Sequence, residues 1–79
     1  MSTPDHSTPR KLVYMANQIG AFFVAQDVGT APAKIAEHLR KFWDPRMRLA
    51  IVAHLDAGGD GLHPMVRQAV EMVRPAAKV

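Results

Sequence analysis

Four prolines, each one or two residues after a residue able to cap a helix, cut this chain into short segments: Thr8-Pro9, Thr30-Ala31-Pro32, Asp44-Pro45 and His63-Pro64. A proline in the first turn of a helix loses nothing by lacking an N–H, because that turn's amides have no intrahelical partner, and its fixed φ is already helical. A side chain such as Asp44 just before it accepts from those free amides. The same ring disfavours helical dihedrals at the preceding residue, so each signal also ends the helix that arrives there. Asp44-Pro45 is the sharpest of them, and the stretch His38–Arg48 around it holds the only tryptophan and the densest charge. Gly58-Gly59-Asp60-Gly61 ends the third segment, since glycine takes the left-handed position after a helix without strain. Pro75 ends the fourth. No segment alternates polar and apolar residues as a strand does. The chain is predicted to be all-α, a compact bundle of four short helices over residues 9–74 with disordered termini, flexible tails at 1–8 and 75–79.

The apolar spacing sorts the helices. Helix one, Pro9–Gln26, carries Leu12, Met15, Ala16, Ile19, Phe22 and Phe23 at helical spacing, widened by Val13, Gly20 and Val24. From Leu12 to Gln26 there are fifteen consecutive residues without a charge. A helix apolar this far round is covered on more than one side. Helix two, Ala31–Trp43, turns Ile35, Ala36, Leu39, Phe42 and Trp43 inward, with Lys34, Glu37, His38, Arg40 and Lys41 outward and Thr30 as its cap. Helix three, Pro45–Ala57, is apolar nearly all round, with His54 the only polar residue between Leu49 and Leu55. It is therefore expected at the centre of the bundle. Helix four, Pro64–Arg74, places Met65, Val66, Ala69, Val70, Met72 and Val73 against Arg67, Gln68, Glu71 and Arg74.

Size and composition limit the function. A chain of 79 residues is one domain that buries about 60% of its unfolded surface, with about 4–12 kcal/mol of stability in all. Such a domain commonly relies on disulfides, a metal or a partner. The sequence has no cysteine, which removes disulfides, thiolate chemistry and the common zinc frameworks. No window is apolar and long enough to cross a bilayer, and Met1 to Pro9 is too polar for a secretory signal, so a cytoplasmic location is expected and no membrane partner. The net charge of +3 includes one local cluster, Arg40, Lys41, Arg46 and Arg48, which suits an acidic protein or nucleic acid and decides between neither.

Catalytic and metal chemistry find little to work with. Ser2, Thr3, Ser7 and Thr8 lie in the tail and Thr30 is assigned to a cap, so no hydroxyl is paired with a base, and no catalytic residue is assigned. The histidines are His6, His38, His54 and His63; no two are three or four apart on one helix, so no local pair chelates a metal. His54 reads as a hydrogen-bonded structural histidine and His63 as a helix cap. The Gly58–Gly61 run ends a helix rather than opening one after a strand, so it is a turn and not a phosphate loop. Helix two, a tight corner and helix three have the outline of a helix-turn-helix. After Arg46 and Arg48, however, helix three offers Leu49, Ala50, Ile51, Val52 and Ala53, where a reading helix needs polar groups for base edges. Protein interaction remains. Trp and Arg are the residues most enriched in interface hot spots, and Trp43 sits among Arg40, Arg46 and Arg48. The residues leave open whether Trp43 is such an anchor or fills the core at the corner.

Three stretches, "KLVYMANQIGAFF" in helix one, "HLRKFWDPRM" at the corner and "AHLDAGGDGLHPMVRQAV" from helix three into helix four, resemble the delta subunit of soluble NAD-dependent formate dehydrogenase over Lys11 to Val73. The resemblance implies a small cytoplasmic accessory subunit without a catalytic group, associated with the catalytic large subunit and acting in assembly, cofactor maturation or stability. It implies no cofactor in this chain. A molybdenum (or tungsten) bis-guanine-dinucleotide centre, iron–sulfur clusters and FMN would lie in partner subunits, with a cofactor-insertion chaperone as a second expected partner; the residues leave open whether the isolated chain forms a homodimer through helix one. The partner-binding residues expected are Arg40, Lys41, Trp43, Asp44, Arg46 and Arg48 at the corner, with Tyr14 and Gln18 on helix one. Two rivals stay open: a chaperone that holds the molybdenum cofactor directly through the corner cations, and a small helical nucleic-acid-binding protein.

Overall fold

Each proline opens a helix. The structure, a computed structural model, describes residues 9–75. They form α1 (Pro9–Gln26), α2 (Ala31–Phe42), α3 (Pro45–Asp56) and α4 (Pro64–Met72), and no strand occurs among the described residues. The expected cap at Thr8 and the expected tails, apart from Pro75, lie outside the described residues.

Asp44 is extended, as a residue before proline must be, and its Oδ1 accepts from the Met47 amide at 2.9 Å. His63 is extended too, and its Nδ1 accepts from the Met65 amide at 3.4 Å. Thr30 departs from expectation: it has near-helical dihedrals and no side-chain capping bond. Its hydroxyl instead donates to the Asp27 carbonyl at 3.4 Å, while the Asp27 carboxylate accepts from the Gly29 amide at 3.0 Å. The turn is organised by its first residue, Asp27. Three helices end one or two residues earlier than the apolar spacing suggests. Trp43 is already extended, because the chain must straighten to bring an extended Asp44 before Pro45. The α3–α4 turn is left-handed at Gly58, Gly59 and Gly61.

Packing corrects the expected hierarchy of helices. α2 packs most extensively against α4, and α1 touches each of the other three. α2 and α3 are joined by two residues but scarcely meet, so the corner is an open elbow. α3 is not the central helix. It buries only Ile51 and Val52 and leaves Leu49 55% exposed; its all-round apolar sequence includes an outward Leu49 and Ala53 and does not reflect burial on every side. The core joins Leu12 and Ala16 of α1, Ile35, Ala36 and Leu39 of α2, Ile51 of α3 and Val66, Ala69 and Val70 of α4, with Trp43 at the elbow. Within α1 the buried line is Leu12, Ala16 and Gly20. The last two are small, which lets α4 approach so closely that a Cβ on Gly20 would meet Val66 Cγ2 at 2.5 Å. Phe22 and Phe42, both expected inside, are outside at 59% and 70% exposure.

The α3–α4 turn is latched to α1 by Asn17, whose Nδ2 donates to the Gly61 carbonyl at 2.9 Å and whose Oδ1 accepts from the His63 amide at 3.0 Å. His54 donates through Nε2 to the Asp60 carbonyl at 2.8 Å, closing the same turn from α3.

Candidate functional site

The open elbow between α2 and α3 leaves a trough on one face of the bundle. Tyr14, Met15, Gln18 and Ile19 of α1 form one wall, His38 and Phe42 of α2 the other, and Trp43 and Met47 close the end, enclosing about 400 Å³. Tyr14 and Phe42 stand on its rims at 64% and 70% exposure. An aromatic run extends it along the α1–α2 seam: Phe22 meets Phe23 edge-on with centroids 5.1 Å apart, Phe23 meets His38 at 6.3 Å, and His38 meets Phe42 at 4.6 Å. Large apolar side chains gathered at one exposed place are the surface signature of a protein contact, since singly scattered ones need no explanation.

The trough brings together three of the residues named from sequence: Tyr14, Gln18 and Trp43. Trp43 contributes little surface to it, however. At 5% exposure it belongs to the core, which answers the question the residues left open and corrects its place among the expected partner-binding residues. α2 ends at Phe42 and the chain straightens at Trp43, which breaks the helical relation between the two rings. The larger ring takes the core and Phe42 takes the surface. Met15, Ile19, His38, Phe42 and Met47 are the site residues that the sequence reading missed, and for Phe42 the adjacency of two aromatics at a helix end was the available signal.

The corner cations are mostly engaged within the chain. Arg40 donates to the Met72 carbonyl at 2.8 Å. Arg48 donates to the carbonyls of Leu39 and Arg40, at 3.4 and 3.3 Å, and to that of Trp43. Lys41 pairs with Glu37 at 3.4 Å, both exposed, and the Asp44 carboxylate is held by its cap. Arg46 is exposed, and among the described residues no hydrogen bond or ion pair engages its side chain.

At the other end of α3, Arg74 grips Asp56 with both nitrogens of its fork, at 2.6 and 3.0 Å, and reaches Glu71 at 2.7 Å. The hydrogen bonds from Arg74 hold the carboxyls of Asp56 and Glu71 below their ordinary values and push the guanidinium's own pKa up. This cluster is a clasp between α3 and α4. Among the described residues no group of three or more His, Asp or Glu side chains is placed to hold a metal, and no helix is long and apolar enough to cross a membrane.

Comparison with known proteins finds one match. The family model of the NADH-dependent formate dehydrogenase delta subunit, FdsD, matches residues 11–70. No curated protein and no solved structure matches the chain significantly. The matched residues include both walls of the trough, the elbow and most of α4. Sixty of the chain's 79 residues fall within that match, and the chain belongs to the formate dehydrogenase delta-subunit family.

Proposed function

We propose that this chain is a non-catalytic accessory subunit that docks on the catalytic subunit of a formate dehydrogenase through the trough between α1 and α2, and serves assembly, cofactor maturation or stability of that enzyme. The observation that carries the reading is the clustering of exposed Tyr14, Phe22 and Phe42 around an apolar trough. In a chain this small, leaving three large rings in water forgoes about 1.5–3 kcal/mol for each that burial would return, and a partner recovers it.

The donor set of this chain does not suit the enzyme's redox centres. It has no cysteine for iron–sulfur ligation, and its histidines are separated, with His54 and His63 engaged in the α3–α4 turn. Under this reading the molybdenum bis-guanine-dinucleotide centre, the iron–sulfur clusters and FMN lie in other subunits, and the complex works in the cytoplasm. Direct holding of the molybdenum cofactor by the corner is disfavoured because Arg40 and Arg48 bind helix carbonyls. Base reading by α3 is disfavoured because the residues it exposes after Arg46 are Leu49, Ala53 and, at its end, Asp56, which Arg74 holds and whose charge repels phosphate.

The test is co-expression of the Tyr14→Ala/Phe42→Ala double variant with the catalytic large subunit. Both side chains are exposed, so the variant is expected to keep its helical circular dichroism and to lose co-purification. Undiminished co-purification overturns the reading.

A further inference from the structure

We infer that the element received by the trough is an amphipathic helix of the partner subunit that carries acidic residues beside its apolar stripe; this rests on the docking reading above and specifies its partner. Three features of the trough point to that occupant.

The first is backbone satisfaction. The described residues contain no strand and hence no sheet edge, so an extended segment laid in the trough would find no ladder for its amides and carbonyls. Unpaired backbone groups buried against apolar side chains are costly. A helix arrives with its own backbone already bonded.

The second is length. Tyr14, Gln18 and Phe22 follow one stripe of α1 over about 12 Å at the helical rise of about 1.5 Å per residue. Two turns of a docked helix, with anchors at i, i+3 or i+4 and i+7, cover about the same distance. Tyr14 and Phe42 then stand as the two lips, with Met15, Ile19 and Trp43 beneath.

The third is the charge of the rim. Lys11 lies three residues before Tyr14 on the same α1 stripe, Lys34 lies four before His38 on α2, and Arg46 adjoins Met47; all three are exposed. Among the described residues none of them is in an ion pair. Of the nearby carboxylates, Glu37 is paired with Lys41 and Asp44 is turned to the Met47 amide. The lining of the trough is therefore flanked, one residue or one helical turn away along the chain, by exposed cations on α1, α2 and α3. A second copy of this chain would bring the same cations against them, which disfavours self-association here. A helix with carboxylates flanking its apolar stripe would meet them with opposite charge.

The experiment uses the purified chain and the purified catalytic large subunit. Affinity is measured for the wild type, for Lys34→Glu/Arg46→Glu and for Tyr14→Ala/Phe42→Ala, from about 50 to about 300 mM NaCl, a range over which exposed charges become screened. Hydrogen exchange of the large subunit is compared with and without the chain. The charge-reversed variant is expected to bind at least about tenfold more weakly at low salt and to approach the wild type at high salt. Protection on the large subunit is expected in a helical segment rich in Asp and Glu. Unchanged affinity of the charge-reversed variant, or protection in an extended or basic segment, overturns the acidic helix and leaves docking intact if Tyr14→Ala/Phe42→Ala has lost binding. Undiminished binding by both variants removes the docking reading itself. A dimer of the isolated chain that Phe42→Ala dissociates assigns the trough to a second copy and overturns the inference.

Discussion

Arg40, in the last turn of α2, donates to the carbonyl of Met72, the last residue of α4, at 2.8 Å. Arg67 of α4 in turn donates to the carbonyls of Gly58 and Gly59, just past the end of α3, at 2.8 and 3.1 Å. Arg48 of α3 closes the ring on the end of α2, at Leu39, Arg40 and Trp43. The last carbonyls of a helix lack intrahelical partners, and the negative end of its dipole lies there. The C-termini of α2 and α4 thus each receive a guanidinium from another helix, and Arg67 does the same for the glycine turn that follows α3. With Arg74 of the α3–α4 clasp, four of the ten cations in the chain are structural ties, and Arg40 and Arg48 make the basic character of the elbow in large part an internal affair.

Arg48 reaches three carbonyls from one side chain, so Arg48→Gln is expected to destabilise the fold by about 1.5–3 kcal/mol, the range for hydrogen bonds to charged groups. Arg48→Lys should restore only part of this, because an ammonium lacks the planar fork. Arg46→Gln, two residues away and exposed, should stay within about 0.5 kcal/mol of the wild type. Urea unfolding followed by circular dichroism ranks the three, and equal midpoints for Arg48→Gln and Arg46→Gln would refute the ring as a source of stability.

Gly20→Ala opposes two effects. Alanine is worth about 1 kcal/mol over glycine inside a helix, yet the new methyl would lie 2.5 Å from Val66 Cγ2, a fully buried and branched side chain. Overpacking of this kind costs about 1–3 kcal/mol, so net destabilisation is expected. Gly20→Ala combined with Val66→Ala makes room for the methyl, and the pair should be less destabilising than the sum of its parts. A double-mutant cycle in urea measures that coupling, and strict additivity would place the α1–α4 approach elsewhere.

Acid should loosen the α3–α4 clasp. Hydrogen bonds from Arg74 depress the carboxyls of Asp56 and Glu71 below their ordinary values of 3.8 and 4.5. A group depressed in the folded state stabilises fully above its unfolded value and loses that contribution as pH falls through its folded value. The clasp is therefore intact at neutral pH and weakens below about pH 4.5, while Arg74 remains charged throughout. Arg74→Gln should lower stability at pH 7 and flatten the decline between pH 5 and pH 3. Parallel thermal midpoints for variant and wild type across that range would count against the clasp.

The helix starts were legible because their causes are local. Asp44-Pro45 and His63-Pro64 act through one side chain, one ring and the next amides, and the structure has both caps. Thr30 failed because Asp27, three residues earlier, competes for the same turn. The hierarchy of the helices was not legible, since it depends on which faces meet, and small residues decided that. Gly20 makes α1 a close neighbour of α4, whereas Leu49 and Ala53 of α3 merely lengthen an apolar run on the side that faces water. The trough was half legible. Tyr14 and Gln18 could be named from α1, but Phe42 was hidden behind Trp43 until the elbow fixed which ring turns inward.

Phe42 and Trp43 make the sharpest experimental contrast in the chain. Trp43 is 5% exposed and packs with the core, while Phe42 is 70% exposed on the lip of the trough. Trp43→Ala should cost about 3–5 kcal/mol, the usual loss for a buried large aromatic, out of a total of about 4–12 kcal/mol. Phe42→Ala should stay within about 0.5 kcal/mol of the wild type. Binding to the catalytic large subunit is expected to invert this order once it is corrected for the folded fraction. Trp43→Ala should lose binding mainly as it loses fold, whereas Phe42→Ala should lose binding while fully folded. Urea midpoints and pull-down yields on the same preparations separate the two roles. A Phe42→Ala variant that unfolds, or one that binds as well as the wild type, would show that the exposed ring is not the docking lip.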